Sequence, residues 1–279
     1  EYNPTLKTNV KYCKYCGCLS YKNIPCVSSL CDNTKNSIDP LSLKYQPISL
    51  KPNYNSFFHR NFLSNRKIVI IKIKKLVNNF GFDKLISFKA IGLMDQIYLN
   101  NEMDINNIEK IASICVLISI QFNECCSKIK NNSKKTDISN KNFKGLLEYI
   151  KKEIKDLNYW EILCLKSLNY DLDKFTSYDY LNLFFKLGII FSNENIDISN
   201  EQKKCIFILD IITNDSMVCS HSHYTLALSI IHLVFQNNTY FNTNNLKNVY
   251  GIDLNKDKYI LCKSKIIIIL NELYNTILY

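Results

Sequence analysis

IASICVLISIQF, residues 111–122, is apolar at nearly every position. On a helix this pattern means burial on all sides, and the run is well short of the roughly 20 residues that a membrane span needs. The stretch therefore predicts the central helix of a bundle. Asp104, ahead of it, can accept hydrogen bonds from the free N–H groups of a helix start. Upstream, Val69, Ile73, Leu76, Val77 and Phe80 share one face at helical spacing while Lys67, Lys74, Lys75 and Asn78 fall elsewhere. That is the pattern of an amphipathic helix laid against a core. Gly81, directly after it, can take the left-handed conformation that ends a helix.

Outside these segments the composition agrees. All five prolines, Pro4, Pro25, Pro40, Pro47 and Pro52, lie before residue 53. Proline inside a helix costs about 3 kcal/mol, so everything downstream is free to be helical. Period-2 alternation is scarce there, and the body reads as all-α. At 279 residues, 47% of them hydrophobic, the chain can build two domains of about 100–200 residues. The second half repeats the plan. Thr176 and Asp179 have capping-box spacing ahead of YLNLFFKLGIIF, and Ser199 with Gln202 marks another start before CIFILDIIT. HYTLALSIIHLVF (223–235) is a second apolar helix, Gly251 is a candidate helix stop, and YILCKSKIIIILNELYNTIL (259–278) forms a long last helix.

Four pieces of the middle third taken together resemble the first cyclin box. They are RKIVIIKIKKLVNNF (66–80), FKAIGLMDQIYL (88–99), IEKIASICVLISIQFNE (108–124) and YWEILCLKSLNYDLDKFT (159–176). "LMD" stands where cyclins often have "LDRF", and "QFNE" where they often have "KFEE". The resemblance implies two tandem five-helix domains, a first box at 61–175 and a second, divergent one at 176–279. It also implies a regulatory subunit, not an enzyme, that binds and activates a cyclin-dependent-kinase-like protein kinase as a heterodimer or within a larger complex. Cyclins hold the mobile αC helix of such a kinase in its active orientation and supply no chemical group themselves.

Residue by residue, the resemblance places the kinase interface on Gln121, Phe122, Glu124, Leu146, Tyr149, Ile150 and Glu161. The family's Lys–Glu grip keeps its glutamate as Glu161 but has Gln121 at the lysine position, which loses the charge. Arg66 and Asp95 match the internal ion pair that ties the first helix to the second. The apolar patch that cell-cycle cyclins use to dock substrates is represented by Asn65, Val69 and Lys72, two of them polar. Recruitment by that route is therefore not expected.

Residues 1–31 are cysteine-rich, and 32–60, with three prolines and no helical period, read as an extended arm. Residues 125–141, rich in Lys and Asn, read as a solvated loop inserted into the first box. Twelve cysteines without a visible signal peptide suit a reducing compartment, hence an intracellular protein of nucleus or cytoplasm. Cys13 and Cys16 have the C-x-x-C spacing that grips zinc, and Cys26 and Cys31 could complete a structural site; the alternative is a cysteine-rich arm packed on the helices. No other cofactor is expected. Cys115, Cys164, Cys205 and Cys262 fall within apolar helices as small core residues, while Cys219, His221 and His223 form a C-x-H-x-H run that reads as a turn with surface histidines. The charge of +10 is spread along helix faces without the focused stripe that nucleic-acid binding favours, and no membrane association is expected. Two rival readings stand beside a kinase regulator: a zinc-ribbon transcription initiation factor with cyclin folds, and a scaffold that keeps the fold without activating anything.

Overall fold

A computed structural model describes residues 10–12, 19–21, 57–100, 103–130, 136–186, 197–237 and 252–278, with a few single positions between 241 and 247. Nine α-helices run through the described residues: α1 (Phe57–Asn79), α2 (Lys84–Asn100), α3 (Ile108–Lys130), α4 (Thr136–Glu153), α5 (Leu157–Ser167), α6 (Ser177–Lys186), α7 (Ser199–Ile212), α8 (His223–Phe235) and α9 (Asp257–Leu278). A small hairpin precedes them. Strands β1 (Val10–Tyr12) and β2 (Leu19–Tyr21) pair antiparallel with Tyr12 opposite Leu19, so the body is all-helical but the cysteine-rich segment is not.

The expected central helix is α3. Ile111, Ile114, Cys115, Val116, Leu117 and Ile120 are all buried, and α1, α2, α4 and α5 pack around it. By length and composition Ile105–Asn123 would cross a membrane, but 61% of that window is buried inside the molecule, as befits a core helix. Around it lies one hydrophobic cluster running from Phe62 to Leu168. A second cluster is built from α6 to α9 and centres on Leu226, Leu228, Ile230 and Ile231 of α8. Phe88 of α2 belongs to this second cluster and stacks on Tyr178 at 5.1 Å, so α2 serves both cores.

Local chemistry sets the helix ends. Gly81 has φ 66°, and the Phe82 N–H reaches back to Val77 O at 3.0 Å, the six-to-one bond of a Schellman stop. At the end of α5 the same bond runs from Tyr170 N to Leu165 O, with Asn169 and Tyr170 both at positive φ. Asp104 accepts from Asn106 N and opens a 3₁₀ turn that leads into α3. Thr176 and Asp179 form the expected reciprocal box: Thr176 N donates to Asp179 Oδ2 at 2.8 Å, and Asp179 N to Thr176 Oγ1 at 3.3 Å.

Three expectations are corrected. Helix α1 begins at Phe57, so the arm does not reach residue 60. Most of 125–141 is helical, because α3 continues to Lys130 and α4 starts at Thr136. That stretch contains neither Pro nor Gly, and lysine and asparagine do not by themselves stop a helix. Ser199 starts α7 without capping it; Asp197 does this work, accepting from Ser199 N at 3.0 Å, which holds its carboxyl below the usual carboxylate range.

Candidate partner-binding site

The flank formed by the end of α3, by α4 and by α5 carries the residues the sequence assigned to an interface. Gln121 and Phe122 are half-buried on α3, Glu161 is half-buried on the second turn of α5, and Tyr149 stands 40% exposed on α4. Helix α5 packs on α3, with Trp160, the neighbour of Glu161, lying under Lys110 near the start of α3. Glu124 lies on α3 with its side chain outside the described residues. Leu146 and Ile150 are different. Both are fully buried in the first core, because their spacing of four points them at the bundle while Tyr149, between them, points out. They support the surface and offer nothing to a partner.

Polar contacts hold this flank in shape. The Tyr149 hydroxyl donates to Glu153 Oε1 at 2.6 Å, which pushes its pKa up. Glu153 in turn pairs with Lys72 of α1 at 3.4 Å, and Lys72 also meets Glu109 of α3 at 3.1 Å. Lys110 sits over the Trp160 ring at 5.2 Å. At the patch position on α1, then, a lysine bridges two neighbouring helices. Val69 beside it is buried in the core, so the one apolar residue credited to the patch does not face solvent. Sequence reasoning missed the exposed apolar residues Ile68 and Ile71 of α1 and Tyr159 and Ile162 of α5. The signal was present. Once Val69, Ile73, Leu76 and Val77 claim the inner face of α1, Ile68 and Ile71 are left on the outside.

Behind the flank, Arg66 and Asp95 form the expected pair. Arg66 Nε and Nη2 donate to the two oxygens of Asp95 at 2.7 and 2.8 Å, and Nη1 donates to the carbonyls of Thr213 and Asp215 at 2.7 and 3.1 Å. Burial works against the Arg66 charge, but the Asp95 carboxylate more than offsets it and its pKa is raised. The structure thus gives Arg66 a reach the sequence did not show, across to the second core.

The metal candidates Cys13, Cys16, Cys26 and Cys31 lie outside the described residues. Cys115, Cys164, Cys205 and Cys262 are buried free thiols, as expected, and burial pushes Cys164 and Cys205 up to about 12. Among the described residues no three His, Cys, Asp or Glu side chains gather as a metal site, so Cys219, His221 and His223 do not make one. The His223 ring bonds Ser177 at 2.9 Å instead.

Residues 43–173 match the family described as cyclin, N-terminal domain. Over this segment the chain is similar to the cyclin family. Over 91 residues it is 29% identical to G2/mitotic-specific cyclin-1 of Saccharomyces cerevisiae, a stretch that is 32% of this chain and 19% of that one. The crystal structure of a viral cyclin from herpesvirus saimiri superposes with a TM-score of 0.53 at 16% identity, covering 73% of this chain and 85% of the viral one. That share runs beyond residues 43–173 and shows the cyclin fold. The chain is also similar to a peptidyl-tRNA hydrolase of Mycoplasma capricolum, 29% identical over 149 residues, which is 53% of this chain and 72% of the hydrolase.

Proposed function

We propose that this chain is a regulatory subunit that binds and activates a cyclin-dependent-kinase-like protein kinase through the α3–α5 flank. The observation that carries this reading is Glu161, half-exposed at its family position on α5, within a segment that matches the cyclin N-terminal domain. An interfacial hydrogen bond to a charged group is worth about 1.5–3 kcal/mol, so Gln121 in place of lysine weakens the polar grip and leaves more of the affinity to Phe122, Tyr149 and the apolar rim. The proposal follows the family and the fold over the hydrolase similarity. A chain this rich in lysine, asparagine and isoleucine shares residues with other such chains through composition alone. A structural zinc in the cysteine-rich segment remains part of the proposal, and metal analysis of the purified chain before and after chelation tests it.

The neutral Gln121 favours a second reading, a cyclin-fold scaffold that joins an assembly without activating a kinase. Pull-down with mass spectrometry separates the two. A co-purifying kinase that phosphorylates substrate only with this chain present supports the first. Glu161→Lys is then expected to abolish activation with an unchanged thermal midpoint, since the side chain lies at the surface; full activation by that variant contradicts the assignment.

A further inference from the structure

Helix α9 is held to the second core along one face. Tyr259, Cys262, Ile266 and Ile269, at spacings of three and four, are buried where α9 packs on α8 and α7. The side chains left on the outside are largely apolar. Ile260, Leu261, Ile267, Ile268 and Tyr274 are all exposed, and Ile260, Leu261 and Tyr274 show more than half of their surface. They recur every seven positions, the repeat that keeps a seam turned toward a second helix. Contiguous apolar surface of this length marks an interaction site.

Polar groups on the same helix narrow the choice of partner. Ser264, lying within the seam, already shares its proton between Ile260 O and Leu261 O, both at 3.0 Å, so it can be covered without orphaning a donor. Charge along α9 is lopsided. The N-terminal half carries Lys258, Lys263 and Lys265 against Asp257, whereas the C-terminal half carries Glu272 and no cation. Lys263 and Lys265 donate to neutral oxygens that do not cancel their charge, Gln236 Oε1 at 2.7 Å and Ser220 Oγ at 3.0 Å. Lys265 and Glu272 stand seven residues apart on one flank, with Ile268 between them. A helix positive in its first half and negative in its second complements itself only when reversed, and reversal also opposes the two helix dipoles. We infer that the outer face of α9 binds a second copy of this chain, the two helices antiparallel about a two-fold axis at Ile268, with Lys265 of each copy beside Glu272 of the other. A nucleic acid would occupy the lysines and leave the isoleucines in water, and a lipid surface would cover the exposed Asn271 with nothing to bond it. The face lies on the second core, apart from the α3–α5 flank, and its test needs no kinase.

Sedimentation equilibrium of the full chain measures the association. A dimer with a dissociation constant on the order of 10 µM is expected, since a single helix seam is at the small end of stable interfaces. Leu261→Ser with Ile268→Ser should weaken it about tenfold. Lys265→Glu alone and Glu272→Lys alone should each weaken it about fivefold, because each sets like charges together at two symmetric contacts. The two reversals combined should restore the parent value, a rescue that only the antiparallel arrangement gives. These positions lie at the surface, and a thermal midpoint within about 2 °C of the parent shows that each variant is folded. An equally tight dimer in the serine variant, or a double reversal no tighter than the single ones, overturns the inference. A parent chain that stays monomeric up to about 0.5 mM overturns it too, and a fall of about 5 °C in its midpoint on the serine changes would then assign the face to another segment of the same chain.

Discussion

At the scale of single residues, the structure turns on a buried guanidinium. Arg66 is 2% exposed and spends Nε and both terminal nitrogens on protein acceptors, so removing its anion leaves a charge in the core with only carbonyls to face. Asp95→Ala is expected to cost about 3–5 kcal/mol, while Arg66→Met with Asp95→Ala should be milder because no unpaired charge remains. Urea unfolding of the single and double variants checks the order. Histidines set a pH dependence of their own. His221 and His232 both lie below their ordinary 6.5, through burial first and then through nearby Lys265 and Lys263 respectively. Their neutral forms are favoured by folding, so the associated stability is complete above 6.5 and is lost as pH falls below that value toward the lower folded pKa. The urea midpoint should drop between about pH 7.5 and pH 5, and His221→Asn with His232→Asn should flatten that drop. The Arg66–Asp95 pair was legible in the sequence because both members stand at matching family positions. The bonds to Thr213 and Asp215 were not, since a carbonyl acceptor has no residue type to announce it.

Among the elements, α3 was the easiest to read and α4 the hardest. An unbroken apolar run has one physical interpretation in a folded chain, whereas 125–141 mixes lysine and asparagine in a way that suits a loop or a solvated turn of helix equally. The absence of a breaker decided for helix. The interface assignment fails at Leu146 and Ile150 for a related reason: a resemblance marks which helix faces a partner, and only the helical phase set by packing says which side chains on it look outward. Gly81 offers a direct test of the element boundary. At φ 66° a Cβ is strained, and Asn142 Nδ2 lies 3.4 Å from where that Cβ would be, so Gly81→Ala should cost about 1 kcal/mol. Chemical denaturation with an unchanged slope would show it; an equally stable variant would refute the left-handed stop.

Across the whole molecule, two cores are joined by α2 and by the polar contacts of α1. Phe88 packs in the second core, Lys89 reaches Asp179 of α6 at 3.1 Å, and Asp210 of α7 takes both Lys74 and Lys84. These ties should make the cores unfold together. Trp160, the single tryptophan, reports the first core and far-ultraviolet dichroism reports both, so the two signals should share one denaturation midpoint. Asp210→Ala should pull them apart, and separate midpoints in the parent would show the cores to be independent. Arg66 adds a mechanical property. A planar fork bound along one edge to Asp95 and at its tip to the ends of α7 and the following turn admits one orientation, so α1 cannot roll about its axis without releasing both. The first helix is keyed like a shaft in its bearing: Ile68 and Ile71 face outward at a fixed azimuth, and any twist of α1 is passed through Arg66 to the end of α7.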